Sequence, residues 1–184
     1  GLSEFAVRLP SAFFGIISII AIFYLVRELF KDYKYKDYLS LSASFFLAIS
    51  PWSIQFSRVG FESNVGAGLN ILMVLFFLKG LKKPWLLILS AVFAGLGIYV
   101  YQSEKVFTPL LVLALVLIFR KALFLLNKRY IFAAITIGAV IILPMFLFIL
   151  NNRAALLRVT GTSVFSSQTE ILKPAIVKLE RDRA

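Results

Sequence analysis

The chain has 184 residues and a net charge of +11, with 60% hydrophobic residues, 16% charged residues and a mean hydropathy of +0.91. Soluble domains are about 45–50% apolar and about 25% charged, and disordered chains contain fewer apolar residues still, so both classes are excluded. The sequence has no cysteine and no histidine, which excludes disulfides, Cys/His zinc sites and a Ser-His-Asp triad.

Apolar stretches alternate with short charged ones along the first 150 residues, and each stretch is predicted to form one membrane-spanning helix. A helix needs about 20 residues, within a range of about 17–25, to cross the hydrocarbon core. The two shortest stretches can extend because flanking Lys and Arg side chains reach the headgroups. The predicted fold class is therefore all-α, a polytopic transmembrane helix bundle of about six helices. The predicted spans are 9–26, 38–57, 63–78, 84–103, 106–119 and 130–150.

The fourth and fifth spans are predicted to be two helices rather than one. A continuous helix would place Glu104 and Lys105 near mid-membrane, where each costs about 2.5–3.5 kcal/mol on insertion scales. A tight hairpin with residues 101–106 at the interface avoids this cost. Pairs of small residues four positions apart are predicted to let helices approach closely. These pairs are Ser40 with Ser44 and Ala91 with Gly95.

Basic residues concentrate in alternate loops, at 27–36, 79–83 and 120–129. The positive-inside rule assigns these loops to the cytoplasm. Both ends of the chain are then extracytoplasmic, including a segment 151–184 that follows the bundle of residues 1–150. Because topology accounts for the net positive charge, no nucleic-acid partner is predicted, and the partners in contact with the chain are membrane lipids.

The distinctive polar residues lie at the other, outer ends of the spans, and the spans themselves contain no ionisable residue, which disfavours an ion-coupled transporter. Arg58 and Lys105 suit an anionic headgroup, with simple anchoring to lipid phosphates as the alternative. Glu62 suits a sugar hydroxyl, a cation or a base role, or a surface ion pair with Arg58 one helical turn earlier. Tyr101 is either a membrane-belt aromatic or a platform for substrate. The candidate site residues are Arg58, Glu62, Asn64, Tyr101, Gln102 and Lys105.

Four stretches, in chain order, resemble GT-C type glycosyltransferases that use polyprenyl-phosphate sugars. This is family 39, which is protein O-mannosyltransferase-like and related to the aminoarabinose transferases. The first stretch is RLPSA at 8–12, and the second is LAISPWSIQFSRVGFESN at 47–64, similar to S-P-W-x-I-x-F-S-R-x-x-x-E-x-N. The third is GLGIYVYQSEKVFTPLL at 95–111, and the fourth is LLRVTGTSVF at 156–165.

The resemblance implies a multi-pass enzyme of the bacterial cytoplasmic membrane. It moves a sugar from a polyprenyl-phosphate carrier to a protein, lipid or glycan acceptor on the extracytoplasmic side. The six candidate residues then form the substrate-binding set, with Arg58 and Lys105 near the carrier phosphate and Asn64 near the sugar. Glu62 takes the family's second acidic position and is the metal candidate, since some members use a divalent cation.

Family members carry an acidic residue, regarded as the catalytic base, in the outer loop that follows a first helix. Glu4 does not match that motif, so the base is expected upstream of Gly1. The chain is therefore expected to be an internal fragment of the membrane domain, without a catalytic residue of its own and inactive alone. The alternative is a non-catalytic membrane protein that binds or translocates polyprenyl lipids.

Overall fold

The computed structural model describes residues 4–151, with side chains described for residues 6–148. Throughout this range the regular secondary structure is α-helical, which confirms the predicted all-α fold class. The helices are α1 (Glu4–Leu29), α2 (Lys36–Ile49), α3 (Pro51–Val59), α4 (Glu62–Gly80), α5 (Leu86–Val100), α6 (Glu104–Ile118), α7 (Arg120–Phe124) and α8 (Lys128–Asn151).

Three of the described helices are long and apolar enough to cross a membrane. They comprise Ala6–Leu29 in α1, Glu62–Gly80 in α4 and Lys128–Phe148 in α8, at the places where spans were predicted. The number rises to four if the bent pair α2 and α3 is counted as one span. Helices α5 and α6 have 15 residues each, fewer than the roughly 17 that a perpendicular crossing needs. The prediction of six spans therefore depends on these two helices.

The predicted span 38–57 is not one continuous helix. It is bent by 54° between α2 and α3, so the prediction is wrong on this point. Ser50 joins the two helices with extended backbone (φ −62°, ψ 123°), and Pro51 is the first residue of α3. Proline disfavours helical backbone at the preceding residue and removes one amide donor. The helix therefore ends before Pro51 and a new one begins there.

The fourth and fifth predicted spans do form a hairpin, as expected. Helix α5 ends at Val100, and Tyr101 has extended backbone (φ −142°, ψ 147°). Helix α6 then begins at Glu104. The break places the charged pair Glu104 and Lys105 at a helix start rather than in the middle of a long span.

Helix α4 is the centre of the described packing, with α1 on one side and α5 on the other. Met73 is completely buried, and Leu75 and Phe77 of α4 lie in the same apolar cluster as Leu25 and Leu87. Ser90 of α5 is also buried and donates a hydrogen bond to the Met73 carbonyl oxygen at 2.9 Å. Buried hydroxyls need such internal partners where water is absent.

Small residues bring neighbouring helices close together, as predicted. Ser40 and Ser44 of α2 are buried, and the Ser44 hydroxyl donates to the Ile19 carbonyl oxygen of α1 at 3.1 Å. A Cβ atom at Gly95 would lie 2.7 Å from Cγ2 of Ile141, so only glycine permits that approach of α5 and α8. Short contacts of this kind are typical of helix packing in membranes.

The outward faces of the helices carry large apolar side chains. Phe13, Ile16, Phe46 and Phe132 are each more than half exposed. Monomeric soluble proteins rarely expose contiguous apolar surface on this scale, whereas acyl chains solvate it. Together with the apolar helices, these faces support an integral membrane protein.

The chain divides into two compact units between Leu143 and Pro144, inside α8. The packing given above belongs to the first unit. Of the second unit, the structure describes only the helical residues 144–151. The predicted extracytoplasmic segment 151–184 lies outside the described residues apart from Asn151, so it stays a prediction.

Candidate functional site

Two turns, at the same end of the first unit, carry all six candidate residues. The α3–α4 turn lies against the start of α1, since the Cβ position of Gly60 is 3.5 Å from the Arg8 Cα atom. The α5–α6 turn lies against the first turns of α4, where the Cβ position of Gly66 is 2.9 Å from Oε1 of Glu104. Gly66 is one helical turn from Glu62, the first residue of α4. The fold therefore collects the predicted polar residues at one end of the bundle.

The α3–α4 turn depends on glycine. Gly60 follows the last residue of α3 and has left-handed backbone (φ 82°, ψ 33°), which costs other residues about 1–2 kcal/mol. Arg58 in the last turn of α3 and Glu62 at the start of α4 are both exposed. They lie on different helices and form no ion pair within the described residues. The alternative in which one helical turn pairs Arg58 with Glu62 is therefore wrong, because Gly60 ends the helix between them.

Asn64 joins three helices beneath this turn. Its Nδ2 atom donates to the Ser11 carbonyl oxygen of α1 at 2.8 Å, and it lies 3.2 Å from the hydroxyls of Ser11 and of Ser57 in α3. The Ser11 hydroxyl donates in turn to the Phe56 carbonyl oxygen at 2.9 Å. The Asn64 amide nitrogen is thus engaged in fixing the turn that carries Arg58, and its predicted sugar contact stays a prediction.

The α5–α6 turn presents Tyr101, Gln102 and Lys105. Tyr101 and Gln102 are exposed and Lys105 is partly buried, and the Lys105 ammonium donates to Oε1 of Gln102. Two residues before Tyr101, the Tyr99 hydroxyl donates to the Ile141 carbonyl oxygen at 2.5 Å. Tyr99 therefore ties α5 to α8. The lysine, the amide and the Tyr101 ring remain at the surface, where a ligand can reach them.

A buried polar cluster lies directly under this turn, and sequence reasoning missed it. Glu104 is only 7% exposed, and Asn70 and Thr108 are buried with it. The Asn70 Nδ2 atom donates to Oε2 of Glu104 at 2.6 Å, and the Thr108 hydroxyl lies 2.8 Å from the same oxygen. Gly66 completes the cluster, because a side chain there would collide with the Glu104 carboxylate. The cluster fixes α6 on α4 and holds the neighbouring Lys105 in place.

One signal in the sequence could have revealed this cluster. Asn70 lies in the middle of the apolar stretch 63–78, and a carboxamide inside a membrane span ordinarily bonds to a polar group of another helix. Glu104 was expected at the membrane interface, where a carboxylate is solvated. No buried hydrogen bonds were therefore predicted for it. The structure instead turns it inward onto Asn70.

The described residues do not bring together a cluster of metal-binding side chains. Within them, no group of three or more His, Cys, Asp or Glu side chains comes together. Glu62 supplies one carboxylate, and the Oε2 atom of Glu104 is occupied by protein donors. The divalent cation implied by the resemblance stays a prediction, and no chemical step is assigned to it.

Comparison with protein families identifies a relationship for most of the chain. The family model described as dolichyl-phosphate-mannose-protein mannosyltransferase matches residues 1–148, which covers α1 to α7 and most of α8. No curated protein and no solved structure matches the chain. The matched range includes both polar turns and the buried cluster, and it confirms the resemblance found in the sequence motifs. The chain therefore belongs to the dolichyl-phosphate-mannose-protein mannosyltransferase family, whose members are membrane glycosyltransferases.

Proposed function

We propose that the protein transfers a sugar from a polyprenyl-phosphate carrier to a hydroxyl group of an acceptor at the extracytoplasmic surface of the membrane. The family match over residues 1–148 carries this proposal. The arrangement of the site supports it, since two turns with accessible cations lie at one end of an apolar helix bundle. A lipid-linked anionic donor reaches such a site from the membrane plane.

The cations suit the chemistry at the donor phosphate. Transfer breaks the bond between the sugar C1 atom and the phosphate oxygen and forms a bond from C1 to the acceptor oxygen. Negative charge then develops on the departing lipid phosphate, where fixed cations stabilise the transition state. Arg58 offers a planar fork that matches two phosphate oxygens, and Lys105 offers a point charge. Both are candidates for this role.

The remaining residues divide between binding and positioning. Glu62 presents an exposed carboxylate to sugar hydroxyls, and Tyr101 and Gln102 border the same end of the bundle. Asn64 acts on the α3–α4 turn through Ser11. The proton of the acceptor hydroxyl passes to a carboxylate base.

The test is a sugar-transfer assay on membranes that contain the product of the complete open reading frame. The donor is radiolabelled polyprenyl-phosphate mannose, and endogenous membrane proteins and lipids serve as acceptors. Arg58→Ala and Lys105→Ala should each lower kcat on the order of 10- to 100-fold, because each removes one charge from the departing phosphate. Lys105→Arg should retain most activity.

Lys128→Ala is the matched control, because Lys128 is an exposed lysine at the start of α8 and lies away from both polar turns. It should transfer sugar at the wild-type rate. Full activity in both Arg58→Ala and Lys105→Ala would overturn the phosphate assignment. Binding of the lipid by the wild type without any transfer would instead favour the alternative, a protein that binds or translocates polyprenyl lipids.

A further inference from the structure

A second charged site lies at the other end of the first unit, far along α1 and α4 from the polar turns. A cavity of about 350 Å³ opens there between the end of α1, the end of α4 and the loops that follow them. This volume falls at the lower end of the roughly 300–1,000 Å³ usual for ligand pockets. Charged side chains form most of its lining: Arg27, Glu28, Lys31, Lys36, Lys79 and Lys82.

The acidic groups at this cavity neutralise only part of its charge. The Glu28 carboxylate pairs with the Lys82 ammonium at 2.6 Å. The adjacent Arg27 pairs through Nε with Asp37 at 2.8 Å. Lys31, Lys36 and Lys79 also line the cavity, and they form no ion pair within the described residues. Three like charges around one cavity repel each other unless an anion lies between them.

Local contacts hold the ammonium groups of Lys36 and Lys79 at the cavity. The Lys36 ammonium donates to the Lys31 carbonyl oxygen at 3.0 Å, which folds the α1–α2 loop back on itself. The Lys79 ammonium lies 5.0 Å from the centre of the Tyr24 ring, a cation–π contact. The charges are therefore collected at the cavity rather than spread along the loops.

The position of the cavity identifies the kind of anion that it meets. Both α1 and α4 are long and apolar enough to span a membrane, and the cavity lies where both end. The ends of spanning helices lie at the level of the lipid headgroups, where phosphodiester groups are concentrated. Basic pockets between helices at this level are suited to anionic headgroups.

We propose that this cavity binds the phosphate of an anionic phospholipid, with Lys31, Lys36 and Lys79 as its ligands. The membrane supplies this phosphate at high local concentration, and the Tyr24 ring offers apolar surface to the glycerol part of the lipid. The proposal concerns a site separate from the polar turns and does not depend on the proposed sugar transfer.

The test measures lipid binding by the 184-residue chain in a neutral detergent, using native mass spectrometry with phosphatidylglycerol and with phosphatidylcholine. The wild type should retain phosphatidylglycerol in preference to phosphatidylcholine. The double variant Lys31→Gln/Lys79→Gln should bind phosphatidylglycerol at least about tenfold more weakly, since one lysine at a membrane surface contributes about fivefold. Lys79→Arg should keep the wild-type affinity for phosphatidylglycerol, because it keeps the positive charge. That result would attribute the weaker binding of the double variant to the lost charge rather than to a lost fold.

The matched control is Lys34→Gln/Lys83→Gln, which removes the same charge at positions three and four residues away that do not line the cavity. It should bind phosphatidylglycerol within about twofold of the wild type. Equal weakening in both double variants would overturn the proposal in favour of general attraction by a basic surface. Displacement of the lipid by millimolar inorganic phosphate would overturn the lipid source and assign the site to free phosphate.

Discussion

Glu104 shows how single residues decide the geometry of the polar end. A buried carboxylate is costly unless hydrogen-bond donors surround it, and here the donors come from Asn70 and Thr108. Gly66 provides the space in which the carboxylate lies against α4. Lys105 follows Glu104 directly in the chain, so the buried cluster positions the backbone of this candidate phosphate ligand.

Replacing Asn70 should lower the stability of the protein, because Glu104 depends on the hydrogen bond that Asn70 donates. Asn70→Leu leaves the Glu104 carboxylate with one donor fewer, and an unsatisfied buried group costs roughly 1–3 kcal/mol. The double variant Asn70→Leu/Glu104→Met should lose less stability than Asn70→Leu alone, because no carboxylate is then left without its donor. Thermal unfolding in detergent measures both, and a kilocalorie per mole corresponds to about 2–4 °C in Tm.

Gln55→Ala serves as the control, since Gln55 is an exposed amide in α3. Its Tm should equal that of the wild type. A larger loss in the double variant than in Asn70→Leu would contradict the prediction and show that the polar pair itself is strongly stabilising.

At the scale of residues, the sequence predicted which polar residues lie together at one end of the bundle, but not which hydrogen bonds they form. Arg58, Glu62 and Lys105 were found because charges between apolar stretches stand out in the sequence. The buried orientation of the Glu104 side chain could not be predicted in the same way, because it depends on which face of α4 packs against α6. Asn64 was predicted to face substrate, and its bond to Ser11 joins residues more than fifty positions apart.

At the scale of helices, α2 and α3 show that a hydropathy pattern does not predict where a helix breaks. Residues 38–57 are uniformly uncharged and suggest one span, yet Ser50 and Pro51 divide them with a 54° bend. The bend sends α3 across the start of α1, where Ser57 meets Asn64. The broken span thus places the SPW-containing motif at the polar end of the bundle.

Gly60 should be the most sensitive backbone position in this region. Gly60→Ala forces a Cβ atom into left-handed backbone at a cost of about 1–2 kcal/mol, whereas Gly60→Asn is tolerated better because asparagine adopts this conformation more readily. We expect Gly60→Ala to lower both Tm and sugar transfer, since the turn carries Arg58 and Glu62. Unfolding and transfer assays on the same membrane preparations measure the two effects.

Gly97→Ala is the matched control for Gly60→Ala. Gly97 is helical, and its Cβ position has only an ordinary contact at 3.7 Å with the Thr108 hydroxyl oxygen. Alanine there should leave Tm and transfer close to the wild-type values. Equal losses at both positions would show that added bulk, not backbone conformation, is the cause.

At the scale of the whole molecule, the alternation of basic and polar loops is the strongest signal in the sequence. The basic loops at 27–36 and 79–83 meet at the lysine-lined cavity, and the polar turns lie at the other end of α4. The structure thus separates the two kinds of loop as the sequence predicts. Which end faces the cytoplasm is a prediction from the positive-inside rule.

Helices α5 and α6 decide how many times the chain crosses the membrane. Each has 15 residues, so each spans about 22 Å of a hydrocarbon core about 30 Å thick. Lysine and arginine at their ends can lengthen the crossing because their ammonium and guanidinium groups reach the headgroups. If both cross, Ser103 lies on the opposite side from Lys83 and from Arg120.

The absence of cysteine from the sequence makes this arrangement directly measurable. Single variants Lys83→Cys, Ser103→Cys and Arg120→Cys are labelled in intact cells with a membrane-impermeant maleimide. We expect labelling of Ser103→Cys in intact cells, and labelling of Lys83→Cys and Arg120→Cys only after the membrane is permeabilised, because basic loops stay in the cytoplasm. The wild-type chain reports the background. Labelling of all three from one side would mean that α5 and α6 form a hairpin that does not cross, and the α5–α6 turn would then lie on the same side as the basic loops.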